Sequence, residues 1–482
     1  MKNFIKNNIF SVFTIVATLL VIFVIYELKL QTKYIVSENV SLISLLLKLV
    51  FFTSFLLIGI RELFKYKPTR SKLFTAKNFL IFSLIISLVF SIFNKDIGIY
   101  ATGFYIFGVL VYFSVKQELY APNKVFYFVF LYALLEFAGT IGTPNGFRFP
   151  EMSYSFYILP LSYSFFRLEK RIFLRIMKIF FRVIFIYIAV SLVYWFFNYI
   201  NNDISIADWI TKKTNINGFP IYEFITKWSN YTHPSYISLV LFCAIISGFY
   251  LFYKNEESSK ISFIELIVFI IGCLMLEFVM ESRIGILESL AIIFLSAMYY
   301  IKMKTSYFKL SIIGIVISVI ILGFVVEKHF TGMMDDSVRK ADYTLAINYI
   351  KDHPLWGGGY HQQREVLMMQ DIKMTDVTRP DGTDKISYTH NQFLGVMVQY
   401  GVVGLIVLII LLIALFSYAL KSHSYLLQMF MLIYLIFMFI EEPLSVQEGI
   451  TRFMIFLSFF VAVSEANKER KSLQLNHWFS KS

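Results

Sequence analysis

Apolar stretches of about 20 residues, the length a helix needs to cross a bilayer, recur along nearly the whole chain and are parted by short clusters of Lys and Arg. Hydrophobic residues fill 57% of the 482 positions, mean hydropathy is +0.66, and the charged 16% is crowded between the runs. A soluble core has no room for that excess, with 53 Phe and 31 Tyr lying mostly inside the runs. The pattern is segregation by solvent, and it predicts an all-α, polytopic integral membrane protein. The formal charge of +12 would suit nucleic acid if it lay on a soluble surface. Here it sits between spans, where retention of positive charge on the cytoplasmic side accounts for it, and no nucleic-acid partner is expected. Cys243 and Cys273 both fall inside apolar runs and read as small buried residues.

Candidate spans lie near 9–28, 40–60, 78–94, 97–115, 124–139, 152–167, 182–199, 234–252, 262–280, 284–301, 309–326, 392–419, 424–441 and 449–465, fourteen in all. The runs at 124–139 and 152–167 are short and flank a polar loop with Pro144 and Gly146, so twelve or thirteen spans also fit. Lys2 and Lys6 precede the first run as in a signal peptide, but no small-residue cleavage pattern follows, and it reads as a retained helix. With the amino end inside, the basic loops around 61–77, 116–124, 167–178, 302–309 and 421 all fall on the cytoplasmic side, as does the tail with Lys468, Arg470 and Lys471.

The expected organisation is an amino-terminal helical region (1–200), central spans with a smaller outer loop (201–326), a large extracytoplasmic loop (327–391), and carboxyl-terminal spans with a cytoplasmic tail (392–482). In the large loop, Val338, Ala341, Leu345 and Tyr349 recur at helical spacing, predicting an amphipathic helix over 337–351. A second short helix is expected over 362–374, followed by a turn at Pro380, Asp381 and Gly382.

Ionisable groups at membrane depth carry a functional expectation. Arg283 follows Glu281 and Ser282 at a short turn between two spans. It is either paired with Glu277 or Glu288, or it is an anion clamp whose planar guanidinium suits phosphate. Arg339, at the start of the amphipathic helix, gains nothing from the helix dipole there. Gly357, Gly358 and Gly359, after His353, Pro354, Leu355 and Trp356, form either a flexible turn or a close backbone approach with amides open to an anion. His390 lies where the large loop re-enters the membrane, and its imidazole can accept a hydroxyl proton near neutral pH. His233, beside Pro234 and Ser235, could line the same cavity, while Glu441, Glu442 and Gln447 could orient an arginine or bind sugar hydroxyls. No His, Cys or carboxylate spacing implies a bound metal, and no cofactor is expected.

Over roughly 230–465 the chain resembles the O-antigen ligase and polymerase superfamily. The resemblance rests on the pair Ser282–Arg283 and on Arg339 followed by the Pro-x-x-Gly-x-Gly segment Pro354 to Gly359. It also rests on His390–Asn391 with Leu394, Gly401 and Gly404, and on the stretches 233–236 and 442–449. Tyr343 stands where a tryptophan is often found. The resemblance implies metal-independent, inverting transfer of a glycan from an undecaprenyl diphosphate-linked donor to a hydroxyl of the lipid A core, on the outer face of the cytoplasmic (inner) membrane. Arg283, Arg339 and His390 would be catalytic, and Ser282, Gly357, Gly359, Asn391, His233 and Glu442 would bind substrate. A polymerase using a second lipid-linked glycan as acceptor is the near alternative. A polyprenyl-glycan flippase is the more distant one, since it should place charge at the midplane, where Lys48 and Glu136 are the main candidates.

Overall fold

The computed structural model describes residues 38–64, 75–93, 95–140, 154–201, 215–216, 219–220, 227–229, 233–254, 256, 259–280, 282–304, 337–359, 389–466 and 472–473. Among them are thirteen α-helices: α1 Glu38–Phe64, α2 Ala76–Phe90, α3 Lys95–Lys116, α4 Phe126–Gly139, α5 Tyr154–Ser162, α6 Lys170–Asn201, α7 Pro234–Lys254, α8 Phe263–Val279, α9 Arg283–Lys304, α10 Ser337–Asp352, α11 Gln392–Lys421, α12 Tyr425–Met438 and α13 Gln447–Glu465. Two ribbons of paired two-residue strands, Leu119–Tyr120 with Ser472–Leu473 and Asn215–Ile216 with Phe219–Pro220, are the sheet content of the described residues.

Five of these helices contain stretches long and apolar enough to cross a membrane: Asp96–Lys116, Lys170–Trp195, Pro234–Lys254, Gln392–Lys421 and Gln447–Glu465. Shorter apolar stretches lie at Ser44–Gly59, Ala76–Phe90, Phe126–Gly139, Gly285–Tyr299 and Tyr425–Met438. The chain is thus a multi-pass membrane protein. The spans expected near 9–28 and 309–326, and the short helix and turn expected in 362–382, lie outside the described residues. The run at 152–167 is described from Tyr154 onward. Its helix, α5, has 9 residues with Pro160 inside, about 14 Å at 1.5 Å per residue.

Local sequence sets the helix starts. Thr75, Ser262 and Ser424 place hydroxyls on the backbone amides of Asn78, Glu265 and Leu427, satisfying donors that a helix start leaves unpaired. α7 is the central post, with 89% of its apolar window buried, and it packs against α6, α8, α9, α12 and α13. Around it the core is aromatic. Phe51, Phe93, Tyr187 and Trp228 meet edge-on or tilted at 5.0–6.2 Å between centroids, a favoured geometry for ring quadrupoles. Trp228 comes from the smaller loop and donates its indole N–H to Ser191 at 3.0 Å, pinning that loop onto α6. An ion pair from Arg182 to Glu265 at 2.7 Å ties α6 to α8.

α11 is the opposite case, with a third of its apolar window buried. Val402, Ile406, Ile409, Ile410 and Ile413 are exposed along one face, as lipid requires. The helix is broken at Gly401, where φ is 61° and ψ is −157°. Before the break it starts beside Phe439, whose ring lies 4.8 Å from Phe393. It reaches the end of α4, where the Tyr400 ring lies against Gly139. After the break, residues 402–421 run about 30 Å, enough to cross the hydrocarbon unaided.

Candidate functional site

Four short segments converge at one end of the bundle: the start of α7, the α8–α9 turn, the residues before α11, and the connection from α12 to α13. The α7 start is defined by His233, whose carbonyl accepts from Tyr236 and Ile237 at 3.0 and 3.2 Å, with Pro234 at the first helical position, where its missing N–H costs nothing. His233 is exposed and meets Tyr236 edge-on at 6.1 Å.

Ser282 caps α9. Its hydroxyl accepts the Gly285 amide at 3.3 Å and shares a hydrogen bond with Ser238 of α7 at 3.0 Å. A Cβ on Gly285 would lie 2.4 Å from the Ser238 hydroxyl, so glycine is what lets the two helices close here. Ser282 is buried, and its hydroxyl makes these bonds at the helix cap. Arg283 is the first residue of α9, at the positive end of a helix, where an anion is favoured. Arg339 is the third residue of α10, which packs on α11 and buries Leu345 and Ala346. The side chains of Arg283 and Arg339 lie outside the described residues. Glu277 accepts the Ser289 hydroxyl at 2.9 Å, and among the described residues neither carboxyl oxygen of Glu288 has a hydrogen-bond partner.

His390 is the apex of a tight turn. Its φ is +49°, left-handed backbone that His enters more readily than most residues yet that is strained, and such outliers cluster at functional sites. Its neighbours hold it there. The Thr389 hydroxyl lies 3.0 Å from the Asn391 carbonyl and is bonded to Glu442. The Asn391 side chain caps α11 by accepting the Phe393 and Leu394 amides at 3.0 and 3.1 Å, and it donates to the Phe439 carbonyl at 3.2 Å. Asn391 and Glu442, both expected to bind substrate, make hydrogen bonds that shape this turn, and Glu442 is 2% exposed. Gln392 closes the arrangement, accepting the Leu444 amide at 2.7 Å and donating to Ser445 at 3.0 Å.

The imidazole itself is a third exposed and places Nδ1 3.4 Å from Oε2 of Glu441. The other carboxylate oxygen, Oε1, accepts the Ser235 hydroxyl at 3.2 Å. Ser235 and Ser238 are one turn apart on α7, so the same helix start touches the dyad through one serine and the Ser282 turn through the other. The structure thereby brings His390 and the Ser282–Arg283 turn to the same end of the bundle. A neutral ring with its proton on Nδ1 toward Glu441 leaves Nε2 as an acceptor for a hydroxyl proton.

The glycine segment behaves differently from the expectation of amides open to an anion. Gly357 donates to the His353 carbonyl at 3.3 Å, Gly358 to Val398 at 2.9 Å and Gly359 to Gln399 at 2.8 Å. In return, Val402 and Val403 donate to Pro354 and Leu355 at 2.9 and 3.4 Å. The break at Gly401 frees carbonyls and amides of α11, and residues 354–359 pair with them. A Cβ on Gly357 would lie 2.6 Å from the carbonyl carbon of Gln399, and one on Gly401 2.3 Å from that of Leu355. The amides of Gly358 and Gly359 are thus taken up in backbone docking against α11.

Arg452 was not signalled as part of this end, because one arginine in an apolar run looks like an interfacial residue. It is 2% exposed. It donates to the carbonyls of Ser91 and Phe93 at 2.6 and 2.8 Å, just past the end of α2, pairs with Glu448 at 3.1 Å, and lies over the Tyr236 ring at 5.4 Å. A cation suits a helix carboxyl end, where carbonyls lack partners. The only available signal was Glu448 four residues before it. Gln447 donates to the Tyr154 hydroxyl at 3.0 Å, so its role is to hold α13 to α5.

No individual curated protein matches the chain at a significant level. Residues 266–409, less than a third of the chain, run from α8 through the Ser282–Arg283 turn, α10, the docked glycine segment and His390 to the middle of α11, and they match the family model described as O-Antigen ligase.

Proposed function

We propose that this protein transfers a glycan from undecaprenyl diphosphate to a hydroxyl of the lipid A core oligosaccharide, on the outer face of the cytoplasmic membrane, with both termini inside. The observation that carries the reading is His390, held in left-handed backbone and backed by Glu441 and Ser235 beside the Ser282–Arg283 turn, within a segment matching the O-antigen ligase model. The acceptor hydroxyl gives its proton to Nε2 of His390 as its oxygen attacks the anomeric carbon. The bond from that carbon to the diphosphate breaks, its electron pair leaves with undecaprenyl diphosphate, and the anomeric centre inverts. Glu441 stabilises the imidazolium that forms. Arg283 and Arg339 meet the charge developing on the leaving diphosphate, a role for which guanidinium geometry is suited.

The test supplies purified protein with a defined undecaprenyl diphosphate-linked repeat, with and without lipid A core. Product joined to the core supports this reading. Chain growth without core replaces it with a polymerase that uses a second lipid-linked glycan as acceptor.

A further inference from the structure

Leu355 and Trp356 are 61% and 73% exposed, yet the backbone around them is hydrogen-bonded to α11 on both sides. Pro354 and Leu355 accept from Val402 and Val403, and Gly358 and Gly359 donate to Val398 and Gln399. The two apolar side chains therefore project from a fixed base.

What surrounds that base is legible from α11. Val402, at the docking point, is itself 37% exposed, and the exposed row continues through Ile406, Ile409, Ile410 and Ile413, the face of a spanning helix that lipid covers. From Gly401 to Lys421 the helix rises about 30 Å, the thickness of the hydrocarbon core. With Lys421 at one boundary, Gly401 and the Leu355–Trp356 tip lie at the other. The chain just before the tip is polar and exposed at Lys351, Asp352 and His353. A polar ledge, then Leu–Trp, then an aliphatic stripe is the order met on passing from water through headgroups into acyl chains, and Trp is enriched at that level.

We propose that the Leu355–Trp356 tip is a membrane-interface anchor, seated among the bilayer lipids of the leaflet at the His390 end and fixing the α10 segment at that depth. The continuous exposed stripe favours bilayer lipid as its occupant over a protein partner.

The test uses the full chain in phosphatidylcholine vesicles free of polyprenyl diphosphate, with lipids brominated on the acyl chain near the headgroup. The difference between wild type and Trp356→Phe isolates the emission of Trp356 from that of the four other tryptophans. Brominated lipid is expected to lower that component at least about twofold, while iodide in the water leaves it nearly unchanged. Quenching by iodide alone would put the tip in water, and protection from both would put it under protein; either result overturns the proposal. A second variant, Leu355→Cys carrying a polarity-sensitive dye, gives an independent reading, because Cys243 and Cys273 are buried. A blue-shifted emission in vesicles is expected, and a water-like spectrum counts against the anchor.

Discussion

Replacing Gly401 by Ala tests whether the docking of the glycine segment is an obligate part of the fold. The residue lies at φ 61°, ψ −157°, a region that is essentially glycine's own, and holding another residue there costs about 1–3 kcal/mol. The added Cβ would also stand 2.3 Å from both the carbonyl carbon and oxygen of Leu355. These are backbone atoms with no rotamer to yield, so the clash is relieved only if residues 354–359 lift away. Lifting breaks four backbone hydrogen bonds between the segment and α11, each contributing about 1 kcal/mol net. Strain of about 1–3 kcal/mol alone shifts the docked–undocked equilibrium by about 5- to 150-fold. Hydrogen exchange in nanodiscs reads this directly: the amides of Gly358, Gly359, Val402 and Val403 should exchange at least about 5-fold faster in Gly401→Ala. Gly103→Ala is the control, since nothing lies within 4 Å of its Cβ, and it should be neutral. Wild-type protection at Gly358 and Gly359 in the Gly401 variant would refute the reasoning.

His390→Ala and Arg283→Ala should abolish glycan transfer in a reconstituted assay while the protein remains inserted and abundant; normal transfer by His390→Ala would remove its assigned role. Transfer should fall as pH is lowered, because the base must be neutral to accept. Glu441→Gln should reduce the turnover rate about 10- to 100-fold and move the acidic limb of the pH profile to lower pH, as a negative neighbour is lost; an unmoved limb would show that Glu441 does not act through His390. Arg452→Met should lower stability by about 3–5 kcal/mol, seen as a drop in Tm, because Glu448 and the carbonyls of Ser91 and Phe93 lose their donor.

The helices were legible because a bilayer enforces length and hydrophobicity on every segment that crosses it. The helix starting at Ser337 was legible for another reason: Val338, Ala341, Leu345 and Tyr349 mark one face, and Pro354 sets a stop. At 152–167 hydropathy did not show that the helix ends at Ser162. Within the site, residue types do not show which bonds a group makes. Ser282, Asn391 and Glu442 carry groups that could hold a sugar, and each makes hydrogen bonds at a cap or a turn. Sequence spacing does not report which hydrogen bonds are already taken. The same limit hid Glu441 as the partner of His390, since 51 residues separate them and only folding reveals the 3.4 Å approach.

The two glycine-containing motifs are halves of one contact. Gly401 breaks α11 and exposes backbone groups that a continuous helix would keep for itself, and Gly357 lets the loop backbone come close enough to use them. The segment that docks is the continuation of α10, which carries Arg339. The helix that receives it begins at the turn carrying His390. A loop arginine and a histidine otherwise linked by a long stretch of chain are thereby joined to the two arms of one broken helix. Backbone hydrogen bonds constrain that junction more tightly than side-chain packing would. A substitution at Gly357 or Gly401 should therefore lower turnover even though neither glycine touches the reacting atoms. An otherwise folded Gly401→Ala protein with full transfer activity would show that the junction does not position the site.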